Sequence, residues 1–390
     1  MATSTLRATW RPLSLPAASA HALQRSSQNV SMISTSTFYV FGGELKPRTP
    51  ISADVLRVAF DRDLAKPADV LTHAAPSSPG QGDAAQWPVA RVGAHLLRHP
   101  DLTKTCLLLW GGRGGKEMAP LPYSDYEDVW VFDRDTASWF TLETSGDKPP
   151  MRSYGTAVGI HEAKDRDKVY VHAGCPVQGR LASLHVLDVA TRKWTKLPDA
   201  PGPARGGTAI TTIAAPGEPA RKLLARWGGF CGHEVGGPLD VFDPKSNAWS
   251  SHDAKVEGEG VEPSKRSVHG FVELFGDRKV ATGGGEEKQA LAVMFMGEGE
   301  GAPKELGHDG AGKFLSDAYL LLRSKSGAYS FQRLSVEGKV PEARGWFGYD
   351  ALPLSAGASG HGQDGTRIVV QGGLNEHNER LGDGWVLDIV

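Results

Sequence analysis

The stretch LLWGG at residues 108–112, followed by DVWVFDRDTASW at residues 128–139, decides the fold. Its first apolar run ends in a glycine pair, its second ends at Asp133, and Trp139 follows that aspartate after one short polar segment. Short runs that are rich in β-branched and aromatic residues and bounded by Gly, Pro and Asp are typical of strands. This stretch therefore predicts consecutive antiparallel strands of one sheet.

The same unit recurs along the chain. The glycine pairs close the runs YVFGG (39–43), LLWGG (108–112), YVHAG (170–174, where alanine replaces the first glycine), ARWGG (225–229), VATGGG (280–285) and VVQGG (369–373). The second apolar runs are DVLRVAFD (54–61), DVWVFD (128–133), LHVLD (184–188), LDVFD (239–243), DAYLLL (317–322) and GWVLD (384–388). Repetition at this spacing, with four short strands per unit, predicts a β-propeller of six four-stranded blades.

The aromatic spacing and the repeated arginines give the pattern a family resemblance. Trp139, Trp194 and Trp249 each follow an aspartate at the same distance, and an arginine opens the next unit. Glycine pair, spaced aromatic and arginine together resemble the kelch family over nearly the whole chain. The resemblance implies one all-β domain, a six-bladed kelch propeller over residues 1–390. It does not specify the function, because one fold hosts many functions.

The N-terminus is expected to complete the ring. The last unit breaks off at GWVLDIV (384–390), and residues 2–23 align with residues 189–210, which matches Trp10 to Trp194 and puts Ser19 where the repeated arginine would be. We expect this segment to form the outer strand of the last blade, because closure removes an exposed sheet edge. The alternative is a targeting segment over residues 1–25, since the first acidic residue is Glu44 and serine, alanine and arginine dominate before it.

Composition excludes several classes of function. The net charge is -2 with both signs interspersed, so no basic surface for nucleic acid is expected. No run reaches the 18 or so apolar residues of a membrane-spanning helix. Three cysteines, Cys106, Cys175 and Cys231, are too few for a disulfide framework, which favours a reducing compartment and a cytoplasmic location.

We label the strands of each blade a to d from the axis outward: the arginine opens a, the glycine pair ends b, the aspartate ends c, and the tryptophan lies on d. The loops from b to c and from d to the next a then share one face. The longest interval between glycine pairs precedes VVQGG and contains residues 286–317. We expect these residues to form a long b–c insertion in blade 5 that covers this face, either as a lid or as a plug.

The insertion contains GHDGAGKF (307–314), which fits the glycine loop of nucleotide-binding proteins. Such a loop follows a strand, begins a helix and has serine or threonine after its lysine. Here Phe314 occupies that place and a propeller strand is expected next. The segment therefore predicts hinges or a polar loop rather than a nucleotide site.

A metal site is a second interpretation of the insertion. Glu305, His308 and Asp309 are ligand types that suit Fe²⁺ or another divalent metal. The chain is similar to the nitrile- and thiocyanate-forming specifier proteins, free-standing kelch propellers whose iron site reads E-x-x-x-D-x-x-x-H. Glu305 and Asp309 match its first two positions, but the third is Lys313. His308, at another offset, is the nearby histidine, and His308 and Lys313 are the candidates for catalysis; the alternative is a solvated polar loop.

Ligand-binding candidates come from the same face. Arg91, Arg152, Arg205, Arg266 and Arg344 recur once per blade and either bind an anionic ligand or donate to main-chain carbonyls between blades. Residues after the glycine pairs are expected to point into the mouth: Glu44, Arg113, Cys175, Phe230, Cys231, His233, Glu286 and Leu374. Cys175, Cys231 and His233 form a possible soft metal set, whereas Trp346, His377 and Arg380 are further ligand contacts.

Two functions are compatible with this sequence. The first is a small-molecule site on the b–c face, in the form of a metal-assisted lyase or isomerase that resembles the specifier proteins. The second is a non-catalytic scaffold that binds a peptide or a partner protein with the same face. The sequence contains no catalytic triad order, nucleophile elbow or paired-carboxylate motif, so it does not decide whether the chain is an enzyme.

Overall fold

The computed structural model is an all-β protein in which six sheets surround a central axis. It describes residues 6–76, 87–101, 104–115, 117–121, 129–161, 167–283, 285–302, 305, 310–354 and 365–390. Each sheet contains four principal strands, which in five sheets lie in the order in which they follow one another along the chain; in the sixth, the outer strand comes from the N-terminus. The prediction of a six-bladed propeller with four-stranded blades is therefore confirmed.

The blades follow the chain. Blade 1 contains β2 (Asn29–Ser34), β3 (Thr37–Phe41), β6 (Val55–Ala59) and β7 (Asp69–His73). Blade 2 contains β8 (Val92–Arg98), β9 (Cys106–Gly114), β11 (Val129–Asp133) and β12 (Ser138–Leu142). Blade 3 contains β14 (Thr156–His161), β15 (Asp167–His172), β16 (Leu184–Asp188) and β17 (Lys193–Leu197). Blade 4 contains β18 (Ala209–Ala215), β19 (Glu218–Trp227), β20 (Leu239–Asp243) and β21 (Ala248–His252). Blade 5 contains β22 (Gly270–Ala281), β23 (Glu287–Glu300), β24 (Lys313–Arg323) and β25 (Tyr329–Arg333).

Blade 6 is built from both ends of the chain. It contains β27 (Gly348–Leu354), β28 (Gly365–Gln371), β29 (Gly384–Ile389) and, outermost, β1 (Ala8–Pro12). β1 pairs antiparallel with β29, and Trp10 lies opposite Leu387. The expected closure by the N-terminal strand is confirmed, because β29 would otherwise present a free edge.

Several short elements lie outside the four principal strands of each blade. They are β4 (Glu44–Lys46) and β5 (Thr49–Pro50), β10 (Ala119–Pro120), β13 (Ser145–Gly146), β26 (Val336–Gly338) and the helix α1 (Ala17–Leu23). β13 and β26 add parallel to the outer strands β17 and β1. Ser19, which the alignment put in the place of the repeated arginine, lies in α1. The repeated arginine of blade 1 is Arg25 instead.

Six equivalent main-chain hydrogen bonds join the blades. In each, the second residue of the glycine pair donates its N–H to the carbonyl of the repeated arginine of the next blade. The bonds are Gly43 to Arg91 (3.0 Å), Gly112 to Arg152 (2.9 Å), Gly174 to Arg205 (2.9 Å), Gly229 to Arg266 (2.8 Å), Gly297 to Arg344 (2.9 Å) and Gly373 to Arg25 (2.9 Å). Both residues of every pair have positive φ, which explains why glycine is preferred there.

Blade 5 differs from the prediction. Its pair is Met296 and Gly297, with φ of 55° and 105°, rather than the glycines of VATGGG. Residues 287–300 are β23, so the expected b–c insertion over residues 286–317 is wrong. The apolar run belongs in a strand because the side chains of Ala290–Met296 are at most 2% exposed. β23 ends at Glu300, and β24 begins at Lys313.

The core lies between the blades. Each of the six gaps between neighbouring blades holds its own apolar cluster, as in the gap that joins Phe41 to Trp139 and the one that joins Trp10 to Phe295. Sheets that pack face to face around an axis bury one cluster per interface, which leaves the axis free for other side chains. Among the described residues, no helix has the length and apolarity needed to cross a membrane.

Candidate ligand-binding site at the mouth of the propeller

A closed ring of main-chain hydrogen bonds surrounds the axis just below the b–c face. We call its six residues, Ser27, Gly93, Tyr154, Gly207, Val268 and Trp346, the floor. All six have positive φ, between 45° and 61°. Each N–H donates to the carbonyl of the floor residue of the preceding blade, over 3.0 Å from Gly93 to Ser27 and 3.3 Å from Trp346 to Val268, for example. The floor is therefore a rigid constriction supplied equally by every blade.

Two aromatic rings fill the floor. The rings of Tyr154 and Trp346, from opposite blades, meet edge to face with centroids 5.2 Å apart. Glycine at the neighbouring position is required here, since a Cβ on Gly93 would lie 2.7 Å from the Tyr154 ring. Below the floor, a channel of about 360 Å³ runs along the inner strands and is lined by His95, His269 and other residues.

Above the floor lie the residues that follow each glycine pair. We call Glu44, Arg113, Cys175, Phe230, Glu298 and Leu374 the mouth ring. Each pairs with the residue after the repeated arginine, as in the bridges Ser153 to Cys175 and Ser267 to Glu298. Five of these six were among the sequence candidates. Glu286 was wrong, because the pair of blade 5 ends at Gly297 and Glu298 follows it.

Two buried carboxylates, Glu234 and Glu298, lie at one side of the mouth, and Glu298 acts electrostatically on Glu234. Glu298 comes from the mouth ring and Glu234 from the b–c loop of blade 4, and their residues are 9% and 7% exposed. Gly312 N–H and the indole N–H of Trp346 stabilise the charge of Glu298. The hydroxyl of Ser267 is the polar group that stabilises Glu234. Neither Glu234 oxygen makes a hydrogen bond of ordinary geometry with a described residue.

Burial and mutual repulsion hold a proton on this pair near neutral pH. Burial, reinforced by the charge of Glu298, raises the pKa of Glu234 to about 8. Burial also raises the pKa of Glu298 to about 7, against the two N–H donors that stabilise its charge. Adjacent carboxylates of this kind supply both an acid and a base at physiological pH. Sequence reasoning missed the pair because nothing in the sequence signals that positions 234 and 298 meet.

The other side of the mouth carries arginines. Arg113 donates Nε to the Ser153 hydroxyl (2.7 Å), and its guanidinium lies 5.4 Å from the Tyr154 ring centroid. Arg180 lies 4.7 Å from the ring centroid of Phe230. Burial raises the pKa of the Cys175 thiol, so this cysteine is held in its neutral form. The mouth is therefore acidic over blades 4 and 5 and basic over blades 2 and 3.

Arg380, a sequence candidate, reaches the mouth ring. Its Nη2 lies 3.6 Å from a Glu44 oxygen, and both residues are buried. His377, from the same loop, is exposed and donates its main-chain N–H to Asn375. Trp346 lies in the floor. The structure thus brings Arg113, Phe230 and Arg380 to the mouth and Trp346 to the floor beneath it, while His377 lies at the exposed edge of the mouth.

The repeated arginines are buried instead of facing a ligand. Their side chains donate Nη1 to the carbonyl of the first residue of the glycine pair of the same blade. The bonds are Arg25 to Gly42 (2.7 Å), Arg91 to Gly111 (2.9 Å), Arg152 to Ala173 (2.9 Å), Arg205 to Gly228 (3.1 Å), Arg266 to Met296 (3.0 Å) and Arg344 to Gly372 (3.1 Å). All six residues are at most 2% exposed. This placement supports the structural interpretation of these arginines over the ligand-binding one.

The metal candidates are not brought together in the part of the chain that the structure describes. Glu305 is exposed, and His308 and Asp309 lie outside the described residues. Lys313 begins β24, is exposed and pairs with Glu300 at 2.8 Å, which raises its pKa and keeps it protonated. The Cys231 sulfur lies 3.7 Å from His233 Nε2. Within the described ranges, no three His, Cys, Asp or Glu side chains are placed to share a metal ion.

Comparisons with known proteins agree with this architecture. The KLHDC2/KLHL20/DRC7 Kelch-repeats domain matches residues 27–285. The N-(sulfonatooxy)prop-2-enimidothioate sulfolyase of Thlaspi arvense is 24% identical over 383 residues, which cover 91% of this chain and 90% of the relative. The Rab9 effector protein with kelch motifs of Rattus norvegicus is 28% identical over 158 residues, 38% of this chain and 39% of the relative.

A solved structure supports the fold alone. The structure of YjhT has a TM-score of 0.58 and 15% identity, and the match covers 93% of this chain and 94% of that one.

A further sequence relative is Kelch domain-containing protein 1 of Mus musculus. It is 23% identical over 317 residues, which cover 73% of this chain and 64% of the relative. The similarities extend around the ring of blades rather than being restricted to one repeat.

Proposed function

Because this chain belongs to the kelch-repeat family of β-propellers, we propose that it binds a small molecule at the mouth, above the floor. The observation that carries the proposal is the contrast within the mouth ring. Its main-chain register is the same in every blade, yet its side chains are acidic, basic, thiol, aromatic and aliphatic. A purely structural position would repeat, as the buried arginines do. Varied side chains around a concave, rigid centre are typical of ligand sites.

The reaction that we propose for this site is a lyase or isomerase step assisted by a divalent metal. The relative from Thlaspi arvense, a sulfolyase by name, supports it because the match extends over nine tenths of both chains. Glu305, His308 and Asp309, which lie between β23 and β24 in the sequence, are the proposed Fe²⁺ ligands. Lys313, the first residue of β24, is a protonated side chain, which suits it to bind an anionic group rather than a metal.

Sulfate release tests the reaction directly. Purified protein is incubated with N-(sulfonatooxy)prop-2-enimidothioate, with Fe²⁺ or with a chelator, and sulfate is measured by ion chromatography. We expect Fe²⁺-dependent release that falls at least tenfold in His308→Ala and Asp309→Ala. Glu218→Ala, an exposed glutamate on a hairpin of blade 4, is the matched control and should release sulfate as the wild type does. Release that is unaffected by the chelator would contradict the metal assistance.

The alternative is a scaffold that binds a partner protein with the same face. Kelch relatives named as effector proteins favour it, although the Rab9 effector matches only part of the chain. The two proposals separate in one comparison. Stoichiometric iron in protein purified without chelators, lost in Glu305→Ala or His308→Ala, supports the first. A partner retained by wild-type protein and lost in Arg113→Glu, without any bound metal, supports the second.

A further inference from the structure

We propose that a pocket between blades 2 and 3 binds the carboxylate of a small organic acid. The pocket has a volume of about 800 Å³, and its walls come from the b–c loop of blade 3, from β16 and β17, and from the d-to-a connections on either side of that blade. We call it the blade 3 pocket. It is separate from the proposed site at the mouth, although Arg180, which lies beside Phe230 of the mouth ring, also lines it.

Main-chain pairing holds the walls of the blade 3 pocket in place. His185 of β16 lies opposite Lys196 of β17 in the ladder, so both side chains project from the same face of the blade. The connection from blade 2 adds to the outer edge of β17, where Asp147 N–H donates to the Trp194 carbonyl over 3.0 Å. The side chains of the pocket are therefore carried by strands and by a connection that is hydrogen-bonded to them.

Two buried polar side chains of the blade 3 pocket have unsatisfied atoms. Ser183 is 7% exposed and His185 is 3% exposed, and both line the pocket. The Ser183 hydroxyl and the His185 Nδ1 make no hydrogen bond with any residue that the structure describes. Buried polar groups normally have a partner, and a hydroxyl and a neutral imidazole can each donate one hydrogen bond. A ligand with acceptor oxygens would satisfy both.

The other blades indicate which acceptor belongs at this place. In blades 5 and 6 an aspartate at the start of strand c binds the repeated arginine, Asp317 to Arg266 at 2.7 Å and Asp383 to Arg344 at 2.5 Å. Register makes Ser183 the equivalent residue of blade 3, because the residue after each of the three pairs with the residue before the glycine pair of its own blade. Blade 3 therefore has a hydroxyl where these two blades have a carboxylate.

Blade 4 places its carboxylate at the second of the two positions. Pro238 is its residue at the start of strand c, but Asp240 follows two residues later, at the position that His185 has in blade 3. Asp240 pairs with Arg226 and also acts electrostatically on Arg205, the repeated arginine of that blade. Blade 3 has serine and histidine at the two positions from which blades 4, 5 and 6 supply a carboxylate. The carboxylate of a ligand would supply the same charge there.

The charges that line the blade 3 pocket suit a monoanion. Lys148, Arg180 and Lys196 contribute three positive charges, and Asp147 and Asp199 contribute two negative ones. Burial, with the charges of Arg152 and Lys196, lowers the pKa of His185 to about 4, so the imidazole is neutral at physiological pH. One carboxylate balances this lining, whereas the two aspartates would repel a phosphate dianion.

Part of the wall is apolar and suits a short hydrocarbon chain attached to the carboxylate. Leu181 and Ala182 of the b–c loop and Pro150 of the preceding connection contribute this surface. A pocket that combines apolar walls with a few polar groups is typical of sites for small organic ligands. The ligand class that fits is therefore an aliphatic monocarboxylate.

The test titrates the full-length protein with sodium hexanoate at pH 7.0. The reporter is the ring C–H signal of His185 in ¹H–¹³C NMR, assigned by its loss in His185→Gln. We expect a saturable shift of this signal, because the carboxylate would lie beside the imidazole. Hexanamide, the uncharged analogue, and sodium chloride at equal ionic strength should leave the signal in place, and inorganic phosphate should bind about tenfold more weakly than hexanoate or worse.

Variants of Ser183 make the test specific. Ser183→Asp introduces the aspartate of blades 5 and 6, so it should abolish the hexanoate-dependent shift while urea unfolding shows a protein at least as stable as the wild type. Ser183→Ala removes the hydroxyl without adding a charge and should weaken hexanoate binding about tenfold.

A matched pair of lysines tests the charge. Lys196→Gln should weaken binding about threefold or more, because the lysine lines the blade 3 pocket but is partly exposed to solvent. Lys193→Gln changes an exposed lysine of the same strand outside the pocket lining and should bind hexanoate as the wild type does.

Four results would overturn the proposal. They are no saturable shift with hexanoate, equal binding of hexanamide, tighter binding of phosphate than of hexanoate, and unchanged hexanoate affinity in both Ser183→Asp and Ser183→Ala. Sulfate release by the wild-type protein is measured separately, so either proposal can be rejected without the other.

Discussion

The indole of Trp346 contacts the phenol ring of Tyr154 across the propeller axis, with centroids 5.2 Å apart, although the two residues come from opposite blades. The N–H of the same indole stabilises the charged form of Glu298. One side chain therefore both fills the floor and stabilises the charged form of an acid in the mouth. This coupling between floor and mouth permits the first prediction.

Trp346→Phe should raise the pKa of Glu298 above about 7. Phenylalanine keeps an aromatic ring over the floor but removes the N–H that stabilises the carboxylate, and losing such a donor disfavours ionisation. The measurement is a pH titration of the glutamate carboxyl carbons by ¹³C NMR. Trp249→Phe, which removes an indole N–H bonded to the Pro198 carbonyl instead, is the control and should not move the titration. A lower Glu298 pKa would show that Trp346 does not stabilise the charge.

The second prediction concerns stability and pH. The pKa values of Glu234 and Glu298 are raised in the folded protein, to about 8 and about 7. A raised carboxyl pKa contributes stability below the unfolded value near 4.5, and that contribution is lost as pH rises through the folded values. We therefore expect the free energy of unfolding to fall by on the order of 3 kcal/mol between pH 6.5 and pH 8.5.

Buried histidines affect how the free energy of unfolding depends on pH below pH 6.5. Burial, with some repulsion from the neighbouring arginines, lowers the pKa of His95 to about 4 and of His269 to about 3. Their contribution is complete above pH 6.5 and is lost as pH falls. Between pH 4.5 and pH 6.5 this gain opposes the loss from the two carboxyls, so urea unfolding should show little net change in stability there and a fall in stability above pH 6.5. Glu234→Gln should flatten the alkaline side, and Glu300→Gln should not; a wild-type protein that gains stability up to pH 8.5 would contradict the assignment.

The sequence predicts the fold more completely than the site. Glycine pairs, aromatic spacing and the match of Trp10 to Trp194 are local patterns, and they predict six blades and the closure by the N-terminal strand. The glycine pair of blade 5 was predicted at the wrong position. The backbone at that position requires a positive φ rather than glycine itself, and Met296 adopts a φ of 55°. The glycine pattern therefore points to a glycine-rich hairpin between strands a and b of blade 5 instead of to the true pair.

The candidate site depends on convergence that no local pattern encodes. Glu234 and Glu298 belong to different blades, and each alone resembles any loop glutamate. Three properties distinguish them: both are buried, neither forms an ion pair with a basic residue in the described ranges, and Glu298 acts electrostatically on Glu234. The repeated arginines are the opposite case, because their regular recurrence already favoured a structural role.

The third prediction tests that structural role. Arg152→Met should cost about 3 kcal/mol or more, since the buried carbonyl of Ala173 and the carbonyl of Pro150 each lose a charged donor at 2.9 Å. Arg134→Met is the matched control. Arg134 also donates to main-chain carbonyls, of Thr105 and Lys104, but it does so at the surface, where water replaces it. Thermal and urea unfolding measure both variants, and equal stability of the two would reject the structural interpretation.

The final prediction tests ring closure at Trp10. This residue is 2% exposed, pairs through the main chain with Leu387 and contacts the ring of Phe295 in the neighbouring blade at a centroid distance of 6.3 Å. Trp10→Ala should destabilise the protein by about 3–5 kcal/mol, because it leaves a cavity in the gap between blades 5 and 6. Phe140→Ala, on the outer strand of blade 2, removes a ring that is 48% exposed and should cost less than about 1 kcal/mol. Deletion of residues 1–15 should go further and collapse the fold, since it also frees the edge of β29; a truncated protein as stable as the full chain would show that the ring does not need its N-terminal strand.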